Sequence, residues 1–370
     1  RRHGFSRGGY PIQGRVYRAK IGVALSGRFR QARLRLGFPE LIPTGSSVNG
    51  RRPSWSARVA SKPVFPRYSK RVPPPTQNLN SSEFAPELFL RELKAAARTG
   101  EFPVVETLLN DYEARSGRDA FYAESLSWVA RATASKGFST EARAYARDAY
   151  ALAHGQLKEE IVPASSSLAL ALSAAIEVEA DLLLSGDGAT AAVAYLHRQL
   201  EIFDAQPFRM RIRKSLHSIS LAGEPAPTLD WTPLPNSAPG SETLFSGPCL
   251  LFFWAHWCSD SRTQARAVAR VRQTFGEALT VVAPTRLFGF TTKGNLVEEA
   301  VELAHLQEIR QIDYPDLGTC PIPFGIENFD RYGASTIPTM AGIRADGSVA
   351  FYHAGILKAE DLEKRLREFI

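Results

Sequence analysis

Cysteine and methionine are scarce, with three Cys and two Met among 370 residues. Three thiols, Cys249, Cys258 and Cys320, are too few for a disulfide scaffold. Metal chemistry lacks ligands as well: beside Cys258 only His256 offers a second one, and no further pair stands at zinc-site spacing. No metal and no cofactor is therefore expected. No window reaches the roughly 18 apolar residues that span a bilayer, and the longest comparable run, CLLFFWAHW, reads as a buried strand. No Gly-rich phosphate loop follows a strand, and there is no Gly-x-Ser-x-Gly elbow. A signal peptide, with its charged start, apolar centre and small-residue cleavage site, is not visible either. Acidic residues are almost missing from the first 75 positions, where 17 Lys and Arg face only Glu40. The net charge of +7 thus arises entirely in this segment, and the rest of the chain is net acidic. A nucleic-acid footprint is expected on a folded face, so nucleic-acid binding is not expected here.

What is present is a globular composition, 44% hydrophobic and 22% charged, in a chain long enough for two ordinary domains. Residues 1–78 are rich in Arg, Gly, Ser and Pro without helix or strand period, and read as a disordered basic segment. The chain opens on Arg1 and not on Met, so it is read as starting away from a natural start. The segment is either a native basic tail or upstream sequence. Residues 79–221 turn Ala- and Leu-rich, with apolar residues at three- and four-residue spacing, which predicts an all-α domain. Stops at Gly100, Gly117, Gly137, Gly155 and Gly186 divide it into about six or seven helices. Leu126, Val129, Ala130, Gly137, Ala142, Ala146 and Ala149 follow the spacing of a tetratricopeptide helix pair, with a weaker echo at Val178, Leu182, Gly186, Ala191 and Tyr195. An ordinary helical bundle and a partner-binding groove are both compatible with this pattern.

Residues 222–242 are dense in Pro, Gly and Ser and read as a linker. From 243 to 370 the period changes again. Strands are expected over 249–255 and 279–285, helices over 261–275 and 297–309, a short strand over 322–324 and a short helix over 328–332. Strands over 339–344 and 348–353 are joined by Ala345-Asp346-Gly347, a strong hairpin signal. Residues 358–370 close the chain as an amphipathic helix carrying Leu362, Leu366 and Phe369. The whole predicts an α+β multidomain protein, all-α first and α/β second.

Chemistry concentrates in FFWAHWCSDSR, Phe252 to Arg262. Where a parallel strand runs into a helix, unpaired backbone N–H groups and the helix dipole meet the connecting residues, so a cysteine such as Cys258 there tends towards a lowered pKa and a populated thiolate. Trp257 beside it can shield it from bulk water. His256 either tunes its proton or is satisfied by a backbone carbonyl.

Together with YGASTIPTM downstream, this stretch resembles the thioredoxin-fold family of membrane-anchored or exported bacterial thiol-disulfide oxidoreductases related to TlpA and ResA. The resemblance covers about 222 to 370. It implies a thioredoxin-like domain in which Cys258 stands for the first, nucleophilic cysteine and Ser261 replaces the second. It also implies a cis proline at Pro338, with Thr336 or Ile337 pairing with an extended substrate beside the thiol. The implied setting is periplasmic or otherwise exported, and the implied partners are proteins bearing disulfides or thiols.

Ser261 departs from the family pattern. A dithiol site releases its mixed disulfide through the second cysteine, and a hydroxyl cannot do so. The Ser261 hydroxyl can still hydrogen-bond to the Cys258 thiolate. Cys249 and Cys320 are expected at the opposite end of the sheet, beyond the 7 Å or so that a disulfide spans between α carbons. Two functions stay open: a monothiol exchange protein acting on protein disulfides through Cys258, or a non-catalytic thioredoxin-fold interaction module whose helical domain binds a partner.

Overall fold

A computed structural model of the chain describes residues 86–158, 160–241, 247–292 and 295–370. The expectations for residues 1–78 lie outside the described residues. The chain is α+β: a helical region comes first and a mixed sheet follows.

The helical region comprises α1 (Pro86–Thr99), α2 (Phe102–Ser116), α3 (Ala120–Ala134), α4 (Ser139–Gln156), α5 (Ser167–Gly186), α6 (Ala189–Ile202) and α7 (Arg209–Ser220). Two starts have side-chain caps: Asp119 accepts the Tyr122 N–H at 2.8 Å, and Ser166 accepts that of Ala169 at 3.3 Å. Gly137 makes the α3–α4 turn at φ +81°, where a side chain would be strained. Gly155 does not act as the expected stop, because it stays inside the last turn of α4. The inner face of α4 carries Ala142, Ala146 and Ala149, all buried, and methyl side chains let α4 lie close against α3. Corresponding positions on α6 are Ala192, Leu196 and Gln199, also buried, and the Gln199 carboxamide accepts the Tyr150 hydroxyl at 2.9 Å.

The second region holds β1 (Cys249–Phe253), α8 (Ser259–Phe275), β2 (Thr280–Val282), β3 (Phe290–Thr292), β4 (Asn295–Leu296), α9 (Glu299–Asp313), α10 (Ile326–Tyr332), β5 (Thr339–Ile343), β6 (Val349–Ala354) and α11 (Ala359–Arg367). Its main sheet has the order β2-β1-β5-β6. β1 runs parallel to β2, while β5 runs antiparallel to both β1 and β6. A parallel β-α-β unit joined to an antiparallel hairpin and a closing helix is a thioredoxin-like fold. β1 is central and wholly buried, so its alternating side chains enter two cores. Leu250, Phe252 and Trp254 join Val268 of α8 and Leu362 and Leu366 of α11 on one face. Leu251 and Phe253 join Phe329 and Tyr332 of α10 on the other.

Three features differ from expectation. The stretch 322–324 forms no regular strand but lies along the end of β2, the N–H groups of Ala283 and Thr285 donating to the carbonyls of Pro321 and Pro323. The small β3–β4 hairpin was not anticipated. Residues 222–241 run along the sheet region: Gly223 donates to Val349, Ala226 to Gly347 and Leu234 to Ile322, while Asp230 and Asn328 exchange two hydrogen bonds at 2.7 and 2.9 Å. Proline density fits such a path, since an extended edge can lose N–H donors without breaking a central ladder.

Candidate functional site

Cys258 sits at the N-cap of α8, just beyond the carboxyl end of β1. Its own N–H donates to Ala255 and its carbonyl accepts Arg262, so the chain turns sharply into the helix there. The thiol is 7% exposed and donates to the carbonyl oxygen of Ile337 at 3.6 Å. The peptide bond from Ile337 to Pro338 is cis. The next residue, Thr339, opens β5 opposite Phe253, so sheet register brings a segment distant in sequence against the cysteine. The Thr336 carbonyl accepts the Thr339 hydroxyl at 2.6 Å. Cys258, Thr336, Ile337 and Pro338 are thus gathered at one end of the sheet.

Ser261 does not make the hydrogen bond to Cys258 that its hydroxyl could offer. It is fully buried, and its oxygen accepts the Ala255 N–H at a long 3.4 Å, with no hydrogen bond to Cys258. The cause is geometric: the first turn of α8 directs the hydroxyl back under the β1–α8 loop. Tyr314 seals the same spot, its hydroxyl donating to the Ala255 carbonyl at 3.2 Å and its ring lying 4.4 Å from Trp254. Burial foremost, and then the neighbouring Cys258, push its phenol far above the ordinary value, so it stays protonated.

His256 points away from solvent, with Nε2 3.0 Å from the Phe290 carbonyl. Of the two roles considered, this contact is the backbone-satisfied one. Burial lowers its pKa despite the Phe290 carbonyl and nearby Glu302, so the ring is neutral and Nε2–H is the donor. Trp257 is half-buried and packs against Phe288 and Phe290, with ring centroids 5.5 and 5.6 Å away. These two phenylalanines come from the loop and hairpin after β2, which Glu302 anchors. Its carboxylate, 1% exposed, accepts the backbone N–H groups of Phe288 at 2.6 Å and Gly289 at 2.7 Å.

Sequence reasoning missed Tyr314 and Glu302. Glu302 stands beside Glu298 and Glu299 and reads as one more carboxylate favouring a helix start. Nothing in the local pattern marks it as buried.

Cys249 begins β1, four residues of strand away from its carboxyl end, and Cys320 lies in the segment before Ile322. All three cysteines are free thiols. Burial raises the pKa of both Cys249 and Cys320, which holds them protonated and unreactive. Among the described residues no cluster of His, Cys, Asp or Glu is arranged to hold a metal ion, and no helix is long and apolar enough to cross a membrane.

No protein-family model matches the chain, and no curated protein sequence matches it. Solved structures resembling it do so over the carboxyl-terminal part. One is a thiol:disulfide interchange protein of the thioredoxin family from Chlorobium tepidum, 19% identical, covering 40% of this chain and 95% of its own, with a TM-score of 0.32. Another is StoA from Bacillus subtilis, 17% identical, covering 39% and 98%, with a TM-score of 0.29. A secreted disulfide oxidoreductase of Mycobacterium tuberculosis is 17% identical, covers 36% and 90%, and gives a TM-score of 0.28.

Proposed function

We propose that the chain carries out thiol-disulfide exchange on protein clients through Cys258 alone. The observation that carries this reading is the thiol's position: at the start of α8, beyond the carboxyl end of β1, and facing the Ile337 carbonyl beside Pro338. A thiolate at Cys258 attacks one sulfur of a client disulfide, forming a mixed disulfide and releasing the other client sulfur as a thiolate. Ser261 is buried and has no sulfur to offer, and Cys249 and Cys320 are buried elsewhere. Release therefore requires a second thiol, from the client itself or from a small thiol in solution. In the first case client disulfides are rearranged; in the second the small thiol attacks the client sulfur of the mixed disulfide, freeing Cys258 as a thiolate and leaving that client sulfur bonded to the small thiol. Thr336 and Ile337 supply the backbone against which an extended client lies, and Trp257 walls the thiol. Clients of this kind belong to an oxidising compartment outside the cytoplasm, where disulfides persist.

The test is covalent capture. The protein is incubated with a disulfide-bearing peptide, quenched with acid and analysed by intact mass. The unmodified chain gains the mass of one peptide half, and Ser261→Ala gains it equally. Capture by Cys258→Ser, or none by the unmodified chain, overturns the reading and favours an interaction module.

A further inference from the structure

The helical region ends on α7, and α7 has two working faces. Ile212 and Leu216 belong to the helical core, while Lys214 reaches Glu177 of α5 at 2.8 Å. Arg209, Arg213 and His217 recur every fourth residue and so share another face. That face grips the end of α10. Arg209 donates Nε and Nη2 to the Asp330 carboxylate at 3.0 to 3.3 Å. Arg213 reaches the same carboxylate at 2.7 Å and the Asp330 carbonyl at 2.7 Å. His217 Nδ1 lies 3.1 Å from the Tyr332 carbonyl. Burial lowers the His217 pKa, so the neutral ring donates that bond.

The contact continues into Gly333. Its φ is +62°, and a β carbon there would sit 2.5 Å from the backbone nitrogen of Lys214 and 2.8 Å from the carbonyl carbon of Arg213. Backbone thus meets backbone with no side chain between. From Gly333 the chain is held tightly: the Ala334 N–H donates to Phe329, the Ser335 N–H to Gly333, and the Tyr352 hydroxyl to the Gly333 carbonyl. Four residues after Gly333 is Ile337, whose carbonyl accepts the Cys258 thiol.

We infer that α7 is part of the working site: Arg209, Arg213 and His217 are positioning residues that set the segment 333–337 against Cys258. Accordingly, the helical region does more than adjoin the sheet region. It fixes the strip of backbone along which a client peptide lies. The client part of this inference rests on the proposed exchange function, whereas the positioning itself does not.

The test uses the full chain carrying both Arg209→Ala and Arg213→Ala, with Asp330→Asn as a milder variant should the pair fail to fold. Hydrogen exchange by mass spectrometry is the first readout. Amides of 333–337 are expected to exchange about tenfold faster, the factor carried by about 1.4 kcal/mol, with those of 249–253 unchanged. Peptide capture is the second, and its loss is expected in the peptide concentration that gives half the limiting capture rate, not in the limiting rate itself. Arg213→Lys, which keeps the charge, is expected to restore part of the protection. Unchanged protection at 333–337, or an equal loss across 249–253, overturns the inference. If the unmodified chain captures no peptide, the exchange function fails, and hydrogen exchange alone still decides whether α7 holds the segment.

Discussion

The thiol of Cys258 and the carbonyl of Ile337 meet at 3.6 Å across 79 residues of sequence, while Ser261, only three residues from Cys258, turns its oxygen to Ala255 instead. The carbonyl that accepts from this thiol comes from the far segment and not from its own helix. A cysteine at 261 would be one helical turn from Cys258, within the reach of a disulfide between α carbons. Ser261→Cys is therefore expected to reduce insulin disulfides faster than the unmodified chain in the presence of dithiothreitol, because release then occurs within the site, whereas the unmodified chain depends on dithiothreitol for each release. Turbidity of precipitating insulin chains measures both.

The three thiols should separate cleanly under native alkylation. Cys258 is 7% exposed, Cys320 1% and Cys249 fully buried. Burial also keeps the last two protonated at neutral pH, and the thiolate is the reactive form. With iodoacetamide at pH 7.5, peptide mapping should find label on Cys258 alone. Cys249 and Cys320 are expected to label only after urea unfolding.

Glu302→Gln tests the anchor of the wall beside Trp257. The carboxylate accepts two backbone N–H groups, and a carboxamide can accept with only one of its two atoms. One buried N–H is then left facing an NH2 group, which costs about 1–3 kcal/mol. Urea unfolding should show that loss, and amide exchange at 288–290 should rise. Unchanged stability would mean that the loop holds itself.

Acid should weaken the fold in two stages. His256 and His217 both have pKa values lowered chiefly by burial. A group that binds its proton less readily when folded adds stability above its unfolded pKa, near 6.5, and loses it as pH falls below that. Asp330 comes later. Burial would raise its pKa, but the hydrogen bonds and charges of Arg209 and Arg213 outweigh it and hold the carboxyl below the usual range. Its contribution is present above about pH 4 and fades below. Unfolding midpoints measured from pH 8 to pH 3 should fall below 6.5 and again below 4, with His256→Gln reducing the first step and Asp330→Asn the second.

Much of the fold was legible because its signals are local. The three- and four-residue period of the helices, the apolar run at β1 and the Asp346-Gly347 turn each depend on neighbours in sequence. So does the place of Cys258 at a strand-to-helix junction. The β3–β4 hairpin was not legible, since strands of three and two residues leave no alternation to read. The role of Glu302 depends on a loop that folds back to it, and that of Arg209 and Arg213 on a carboxylate more than a hundred residues onward. A cationic stripe on a helix reads as a solvated face until its partner is seen. Pro, Gly and Ser density at 222–242 reads as a linker and does not disclose that N–H groups and carbonyls of 222–241 find partners along the sheet region.

The buried inner faces of α4, with Ala142, Ala146 and Ala149, and of α6, with Ala192, Leu196 and Gln199, belong to helices that both pack on α5. Here α7 lies on α5 and α6 and turns its other side to the sheet region. Both sides of α7 are thus occupied, so an insertion between α6 and α7 is felt in the helical core and at α10 alike.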